Sequence, residues 1–158
     1  MTVKAVPEGY HTATPYLICQ GAAQAIDFYT KVFGATEMMR HGGPDGSIGH
    51  AEIKIGDSVI MLADEFPEMK FLAPPTIGGT PVSIMLYLED VDTVFKRALA
   101  AGGKQVQALE DKFYGDRAGT LLDPFGHMWT VATHKEDVAP GEMERRAQAS
   151  MKGMKEKA

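Results

Sequence analysis

The sequence predicts an α+β protein in which one βαβββ module occurs twice. Two segments show the apolar spacing of amphipathic helices. Each of them follows an extended stretch and precedes three further strand-like segments. The order returns after about 60 residues, and a recurrence of this kind indicates an internal structural repeat.

The first module is predicted over residues 10–66. Its helix is expected at 22–33, and Gly34 is well placed to end it in the left-handed conformation that glycine adopts easily. Two strand-like runs then flank the dipeptide Gly56-Asp57, which predicts a β-hairpin with a two-residue turn. The apolar residues at helical spacing are Ala22, Ile26, Tyr29 and Phe33.

The second module is predicted over residues 81–137, after a linker at 67–80 that is rich in proline and glycine. Its helix has two candidate N-caps, Asp90 and Asp92, because a carboxylate accepts hydrogen bonds from the free N–H groups of a first turn. A charged, helix-prone tail at 138–158 completes the chain.

Composition narrows the classes of function. The net charge of −5 argues against a nucleic-acid partner, and no apolar run approaches the roughly 18 residues that a membrane span requires. The first residues lack the apolar core of a secretion signal. The single cysteine, Cys19, lies in an apolar stretch and is expected to be a buried hydrophobe rather than a nucleophile. We therefore expect a cytoplasmic protein without membrane contact.

Two motifs resemble a known superfamily. The stretch AIDFYTKVFG at 25–34 resembles the first-helix signature of bacterial glyoxalase I, and DPFG at 123–126 resembles the turn before the last strand. The vicinal oxygen chelate superfamily, which contains glyoxalases, bleomycin-resistance proteins and dioxygenases, uses the βαβββ module twice. GHAEIKIGDSVIMLAD, YGDR and DPFGHMW are more similar to its PhnB-like branch. The resemblance covers residues 10–137, and it implies a curved mixed sheet around a concave cavity.

The resemblance also implies four strand positions at which the metal enzymes of the superfamily carry His, Glu or Gln ligands. Counted from the matched motifs, these positions hold neutral side chains that are poor ligands for a hard divalent ion. We therefore expect no metal and no other cofactor, and metal-assisted glyoxalase I chemistry finds no support. The four residues are Thr14, Met61, Ser83 and Thr130.

The hairpin register predicts polar groups beside these positions. A two-residue turn places Glu52 opposite Met61, and His50, two residues earlier, projects from the same face. Three interpretations of the pair remain open: a bracing or solvated pair, ligand recognition, and an acid/base pair or relocated metal site.

The second module adds further candidates. If the loop 123–126 joins Leu122 to His127, Gly119 lies opposite Thr130, and Arg117 enters the cavity as a clamp for an anionic group. A salt bridge that fixes the loop is the alternative role of Arg117. Tyr114 is expected at the mouth. Met128 offers an adaptable apolar wall, whereas Trp129 is expected on the opposite face, in the core.

Three functions follow from these residues. The first is binding of a small organic molecule, with an anionic one as an option, in the cavity of a homodimer without a metal, as the resemblance to bleomycin-resistance proteins implies. The second is a lyase or isomerase with His50 or Glu52 as acid/base and Arg117 as the anion clamp. The third is an interaction module that binds a partner through its tail. A fold alone does not choose among them.

Overall fold

The computed structural model describes residues 2–157, and it confirms the α+β class and the two βαβββ modules. The first module contains β1 (Tyr16–Cys19), α1 (Ala22–Phe33), β2 (Thr36–Gly42), β3 (Ile48–Ile55) and β4 (Ser58–Asp64). A 3₁₀ turn (Pro67–Met69) and the short helix α2 (Pro74–Ile77) follow. The second module contains β5 (Ser83–Tyr87), α3 (Val91–Ala100), β6 (Lys104–Asp111), β7 (Asp116–Leu122) and β8 (Met128–His134), and α4 (Pro140–Lys155) comes last.

The strands form two four-stranded mixed sheets with the same internal order. The first sheet is ordered β1-β4-β3-β2 and the second β5-β8-β7-β6. In each sheet the first strand runs parallel to the last strand of its module, and the other neighbours are antiparallel. The predicted mixed sheet therefore consists of two hydrogen-bonded sheets, one from each module.

Contacts divide the described chain into two units. The first contains residues 2–82 together with the loop 123–127, and the second contains 83–122 and 128–157. The loop that joins β7 to β8 thus belongs by its contacts to the first unit, although its two strands belong to the second. The predicted bounds of the modules, linker and tail stay predictions.

Helix α1 has the predicted bounds of 22–33. Gly34 ends it in the left-handed conformation with φ of 69°, as predicted, and donates its N–H to the carbonyl of Tyr29. At the other end, the carboxylate of Asp64 accepts hydrogen bonds from the N–H groups of Gly21 and Ala22 at 3.2 and 2.7 Å. An acidic residue from β4 therefore replaces the missing side-chain cap and complements the positive end of the helix.

Strand parity gives the first sheet two distinct faces. Ala51 and Ile53 are fully buried on the face that packs against α1, as the sequence predicts. Cys19 shares this face, and it is hydrogen-bonded to Tyr29 of α1. The opposite face, here called the α1-distal face, carries the alternate residues, including His50 and Glu52.

The first hairpin has the predicted register. Ile55 lies opposite Ser58, and Glu52 lies opposite Met61. Gly56 has φ of 58°, which a two-residue turn of this kind requires. The predicted placement of Glu52 and Met61 on one face is confirmed.

The second hairpin has a register one residue away from the prediction, which was wrong. Thr130 lies opposite Thr120 rather than Gly119, and Arg117 lies opposite Thr133 rather than Ala132. The loop contains five residues instead of four, because the carboxylate of Asp123 accepts the N–H groups of residues 125 and 127, each at 2.9 Å. Since strand faces alternate with every residue, this shift moves Arg117 to the other face of the sheet.

Helix α3 packs on that other face, and Asp90 is its N-cap, accepting from the N–H of Thr93 at 3.1 Å. Thr133 accepts a hydrogen bond from the N–H of Val91 at 3.0 Å, which fixes the start of α3 against β8. The face of the second sheet that carries Thr130 is here called the α3-distal face. Within residues 2–157, no helix combines the length and apolar composition needed to cross a lipid bilayer.

Candidate functional site

The α1-distal face of the first sheet carries a row of side chains in register across all four strands. Tyr16 of β1 is paired with Met61 of β4, Met61 with Glu52 of β3, and Glu52 with Met39 of β2. Residues directly opposite one another project from the same side of a sheet. A carboxylate thus stands in the middle of a row of aromatic and thioether side chains.

A chain of hydrogen bonds crosses this face. Tyr10 donates its hydroxyl to Oε2 of Glu52, and Oε1 of Glu52 lies 3.0 Å from Nε2 of His50. The other ring nitrogen of His50, Nδ1, lies 2.8 Å from the hydroxyl of Tyr16. Glu52 is only 6% exposed, and each of its two oxygens has a hydrogen-bond partner.

The charges of this chain follow from its contacts. The hydrogen bonds from Tyr10 and His50 stabilise the carboxylate and lower the pKa of Glu52. The same hydrogen bond raises the pKa of Tyr10, and partial burial raises that of Tyr16. Glu52 is therefore an anion whose two oxygens are each hydrogen-bonded within the protein, and its contact with Nε2 suits it to orient His50.

A cavity of about 680 Å³ opens on the same face, and Tyr16 belongs to its wall. Tyr16 therefore joins the hydrogen-bonded chain to the cavity. The apolar lining residues are Tyr16, Ile18, Ile48, Ala63, Phe66, Met69 and Phe71, and the others are Ser47, Gly49, Asp64 and Glu65.

One wall of the cavity is a loop that runs from the end of the predicted first module into the predicted linker. Phe66 and Phe71 exchange two backbone hydrogen bonds, at 2.9 and 3.2 Å, and so close a small loop around the 3₁₀ turn. Glu65 fixes the loop further, because its carboxylate accepts from the side chain of Gln20 at 3.1 Å and from the N–H of Ala73 at 3.3 Å. Both phenylalanine rings are about half exposed, and they remain available for contact.

The predicted site residues fall into two groups, one in each unit. In the first unit, His50, Glu52 and Met61 share the α1-distal face, and Thr14 is half-buried just before β1. In the second unit, Ser83 and Thr130 share the α3-distal face, with their hydroxyl oxygens 3.3 Å apart.

Thr130 is bound on a second side as well. Its hydroxyl lies 2.9 Å from that of Thr120, a partner that the incorrect register concealed. Met128 lies opposite Ser83 on the same face, as expected from parity. Tyr114 contacts the ring of Phe113 edge to face, with ring centroids 5.3 Å apart. The roles of Tyr114 and Met128 in ligand binding stay predictions.

Arg117 does not lie on the face predicted for it. Its guanidinium donates to Asp92 of α3 at 2.9 Å and to Asp111 at 3.2 Å. These two carboxylates raise the pKa of Arg117 above its ordinary value. The contacts match the salt bridge that was the alternative role for Arg117, and they place the side chain on the side of the sheet where α3 begins.

Two expectations about core residues are confirmed. Trp129 is fully buried on the face of the second sheet that packs against α3. Cys19 is fully buried too, and burial, together with the nearby charges of Asp123 and Asp64, raises the pKa of the thiol to about 12. The cysteine is therefore protonated at neutral pH, as expected for a structural residue.

A second polar network lies on the α3-distal face, and the sequence pattern did not indicate it. The carboxylate of Asp116, which is 4% exposed, accepts from the hydroxyl of Tyr87 at 2.9 Å and lies 2.7 Å from Nδ1 of His134. The other nitrogen of His134 lies 2.9 Å from Asp137. The two carboxylates favour the imidazolium form and raise the pKa of His134.

The metal that the resemblance implies does not fit the residues present. Thr14, Met61, Ser83 and Thr130 supply three hydroxyls and a thioether, which are weak ligands for a hard divalent ion. Within residues 2–157, no three His, Cys, Asp or Glu side chains are grouped so that they could hold a metal ion.

Comparisons with known proteins agree with this fold. The model of the Glyoxalase/Bleomycin resistance protein/Dioxygenase superfamily matches residues 10–131. An uncharacterized protein of Mycobacterium tuberculosis is 46% identical over 134 residues, which cover 83% of this chain and 79% of that protein.

Two solved structures are similar as well. TioX from Micromonospora sp. ML1 is 26% identical with a TM-score of 0.61, and the match covers 82% of this chain and all of that one. The PhnB protein from Bacillus cereus is 21% identical with a TM-score of 0.62, covering 78% of this chain and 99% of that one. The second likeness concerns the fold alone.

Proposed function

Because the chain belongs to the glyoxalase/bleomycin resistance protein/dioxygenase superfamily, we propose that its first unit binds a small, largely apolar organic molecule without a metal. The observation that carries this proposal is the cavity on the α1-distal face, where Tyr16 connects an apolar lining to the Tyr10–Glu52–His50 chain. The ligand body would pack against Phe66 and Phe71, and the polar chain would recognise it at one edge.

The size and chemistry of the cavity support binding. A volume of about 680 Å³ lies within the range of small-molecule sites. Such sites combine a mainly apolar lining with a few polar groups that fix orientation. Here the lining is aromatic and aliphatic, and the polar groups are held in place by hydrogen bonds within the protein.

Binding without a metal is supported by the residues at the four ligand positions. The hydroxyl of Thr130 is hydrogen-bonded to those of Ser83 and Thr120. Met61 belongs to a row whose only charged member is Glu52, and that carboxylate is engaged by Tyr10 and His50. These side chains stabilise the protein's own structure and leave no carboxylate or imidazole at those four positions.

A titration followed by amide NMR tests this proposal with a neutral probe, phenylethanol, in the presence of EDTA. We expect saturable shifts of the amides of Gly49, Glu65 and Phe71. Phe71→Ala removes an aromatic wall and should weaken binding about fivefold. Phe113→Ala, a partly exposed aromatic outside the cavity, is the matched control and should leave affinity unchanged. Absence of saturable shifts at the cavity, or binding that returns only with added metal ions, would contradict the proposal.

A second candidate function is proton transfer on a molecule bound in this cavity. It is favoured by the contact of His50 with Tyr16, which carries the hydrogen-bonded chain to the cavity wall. In this case His50 is the acid/base and Glu52 orients it. Arg117 takes no part, because its guanidinium is bound to Asp92 and Asp111. Once a substrate is known, unchanged turnover in His50→Ala and Glu52→Gln would eliminate this candidate.

We also propose that the chain forms a homodimer, because the resemblance to bleomycin-resistance proteins implies paired modules. Light scattering of the purified chain at several concentrations measures the mass directly. We expect twice the mass of the 17.1 kDa chain, and a mass that stays at that of one chain would contradict the dimer.

A further inference from the structure

We propose that the molecule bound in the first unit carries a cationic group, such as an amine, on an apolar body, with Glu65 as its counter-charge. This inference rests on the proposed function, because it concerns the chemistry of a ligand in the same cavity. It departs from the anionic ligand that the sequence suggested when Arg117 was expected in the cavity.

The charged residues that line the cavity are both acidic. They are Asp64 and Glu65, and among the described residues 2–157 no lysine, arginine or histidine belongs to the lining. An anionic group placed there would meet two carboxylates in apolar surroundings, where charges interact more strongly than in water. A cationic group would gain from the same arrangement.

The two carboxylates have different roles. Asp64 accepts hydrogen bonds from three backbone N–H groups, those of Gly21 and Ala22 at the start of α1 and that of Ile48 at 2.6 Å. Its charge is thus directed at the end of a helix, which has its own positive potential. Asp64 builds the wall, and it is not the group that we assign to the ligand.

Glu65 is held in place as an anion but retains acceptor capacity. Hydrogen bonds from Thr76, Gln20 and the backbone of residue 73 lower the pKa of its carboxyl. A carboxylate has about four acceptor sites. The remaining acceptor capacity would therefore be available to an ammonium group.

The aromatic side chains of the lining add a second source of preference. Tyr16, Phe66 and Phe71 are each about half exposed and line the cavity together with Glu65. The faces of aromatic rings attract cations, and this attraction grows when water is excluded. An apolar body would therefore pack on the same rings that favour a positive charge beside it.

Three probes with the same body test the charge: phenylethylamine, phenylethanol and phenylpropionate. We expect the amine to bind the full chain about fivefold more tightly than the alcohol, and the acid to bind least. Glu65→Gln keeps the shape of the side chain and should reduce the advantage of the amine to less than about twofold. The matched control is Glu68→Gln. It removes the same charge from a residue that is three positions after Glu65 and does not line the cavity.

Each outcome bears on the inference. Equal binding of amine and alcohol, or tighter binding of the acid, overturns the cationic ligand and leaves the proposed function standing. An equal loss in the Glu65 and Glu68 variants would show that only the net negative charge of the chain acts, and it would overturn the role of Glu65. If none of the three probes shifts the cavity amides, the inference and the proposed function both fail.

Discussion

The two sheets have the same strand order, yet the faces that point away from their helices carry different chemistry. The α1-distal face holds a carboxylate, an imidazole and two phenols in one hydrogen-bonded chain, next to an apolar cavity. The α3-distal face holds the hydroxyl of Thr130, hydrogen-bonded to those of Ser83 and Thr120, and a separate Asp116–His134 pair. A repeated module thus conserves its helix-packed core pattern, while the other face is free to differ.

The helix-packed faces of the two sheets should contribute to stability in the same way. Truncation of their buried side chains should therefore cause the largest losses in the free energy of unfolding. Ile53→Ala in the first sheet and Trp129→Ala in the second both remove fully buried side chains from beneath a helix. We expect the free energy of unfolding to fall by about 3–5 kcal/mol in the Trp129 variant and by about 2–4 kcal/mol in the Ile53 variant. Urea denaturation measures both. A loss below about 1 kcal/mol in either would break the equivalence.

The polar groups of the α1-distal face should contribute more to the stability of the fold than those of the α3-distal face. Glu52→Ala leaves Tyr10 and His50 without their shared acceptor, and we expect a loss of about 1–2 kcal/mol because charged hydrogen bonds are the stronger ones. Thr130→Val removes only neutral hydroxyl contacts and should cost about 0.5–1 kcal/mol. Equal losses by denaturation would mean that the two faces are stabilised alike.

The smallest expected effect is an opposite dependence on pH in the two polar networks. The folded-state pKa of Glu52 is lowered, so its stabilisation is present above the unfolded pKa and is lost as the pH falls through the folded value. That of His134 is raised, so its stabilisation is complete below the unfolded pKa and is lost as the pH rises through the folded value.

Denaturation of two variants across a range of pH separates these contributions. The difference between wild type and His134→Gln should be widest in mild acid and should narrow as the solution becomes alkaline. The difference between wild type and Glu52→Gln should persist at neutral and alkaline pH and narrow only in stronger acid. The same trend in both variants would show that the networks do not differ in this way.

The two hairpins show what the sequence predicts well and where it fails. The first hairpin has a turn of only Gly56 and Asp57, so the register follows from counting. The second has a loop in which the side chain of Asp123 binds two backbone N–H groups and adds a fifth residue. Whether a loop has four or five residues depends on such contacts. The prediction of four residues therefore assigned Arg117 to the wrong face of the sheet.

The fold and the core followed from local pattern, but half of the site did not. The hairpin register placed Glu52 opposite Met61, and His50, two residues earlier, follows on the same face because faces alternate along a strand. Tyr10 is 42 positions before Glu52, and its contact is set by the path of the first residues over the sheet. Phe66 ends the predicted first module and Phe71 lies in the predicted linker, and only the backbone pairing between them reveals a cavity wall.

Native mass spectrometry with elemental analysis, on protein purified without chelators, tests the central claim most directly. The account predicts a small organic molecule bound to the wild-type chain, lost or reduced in Phe71→Ala and retained in Phe113→Ala, with no stoichiometric metal ion. A stoichiometric ion whose removal releases the molecule would contradict it, and so would a bound molecule that is indifferent to Phe71.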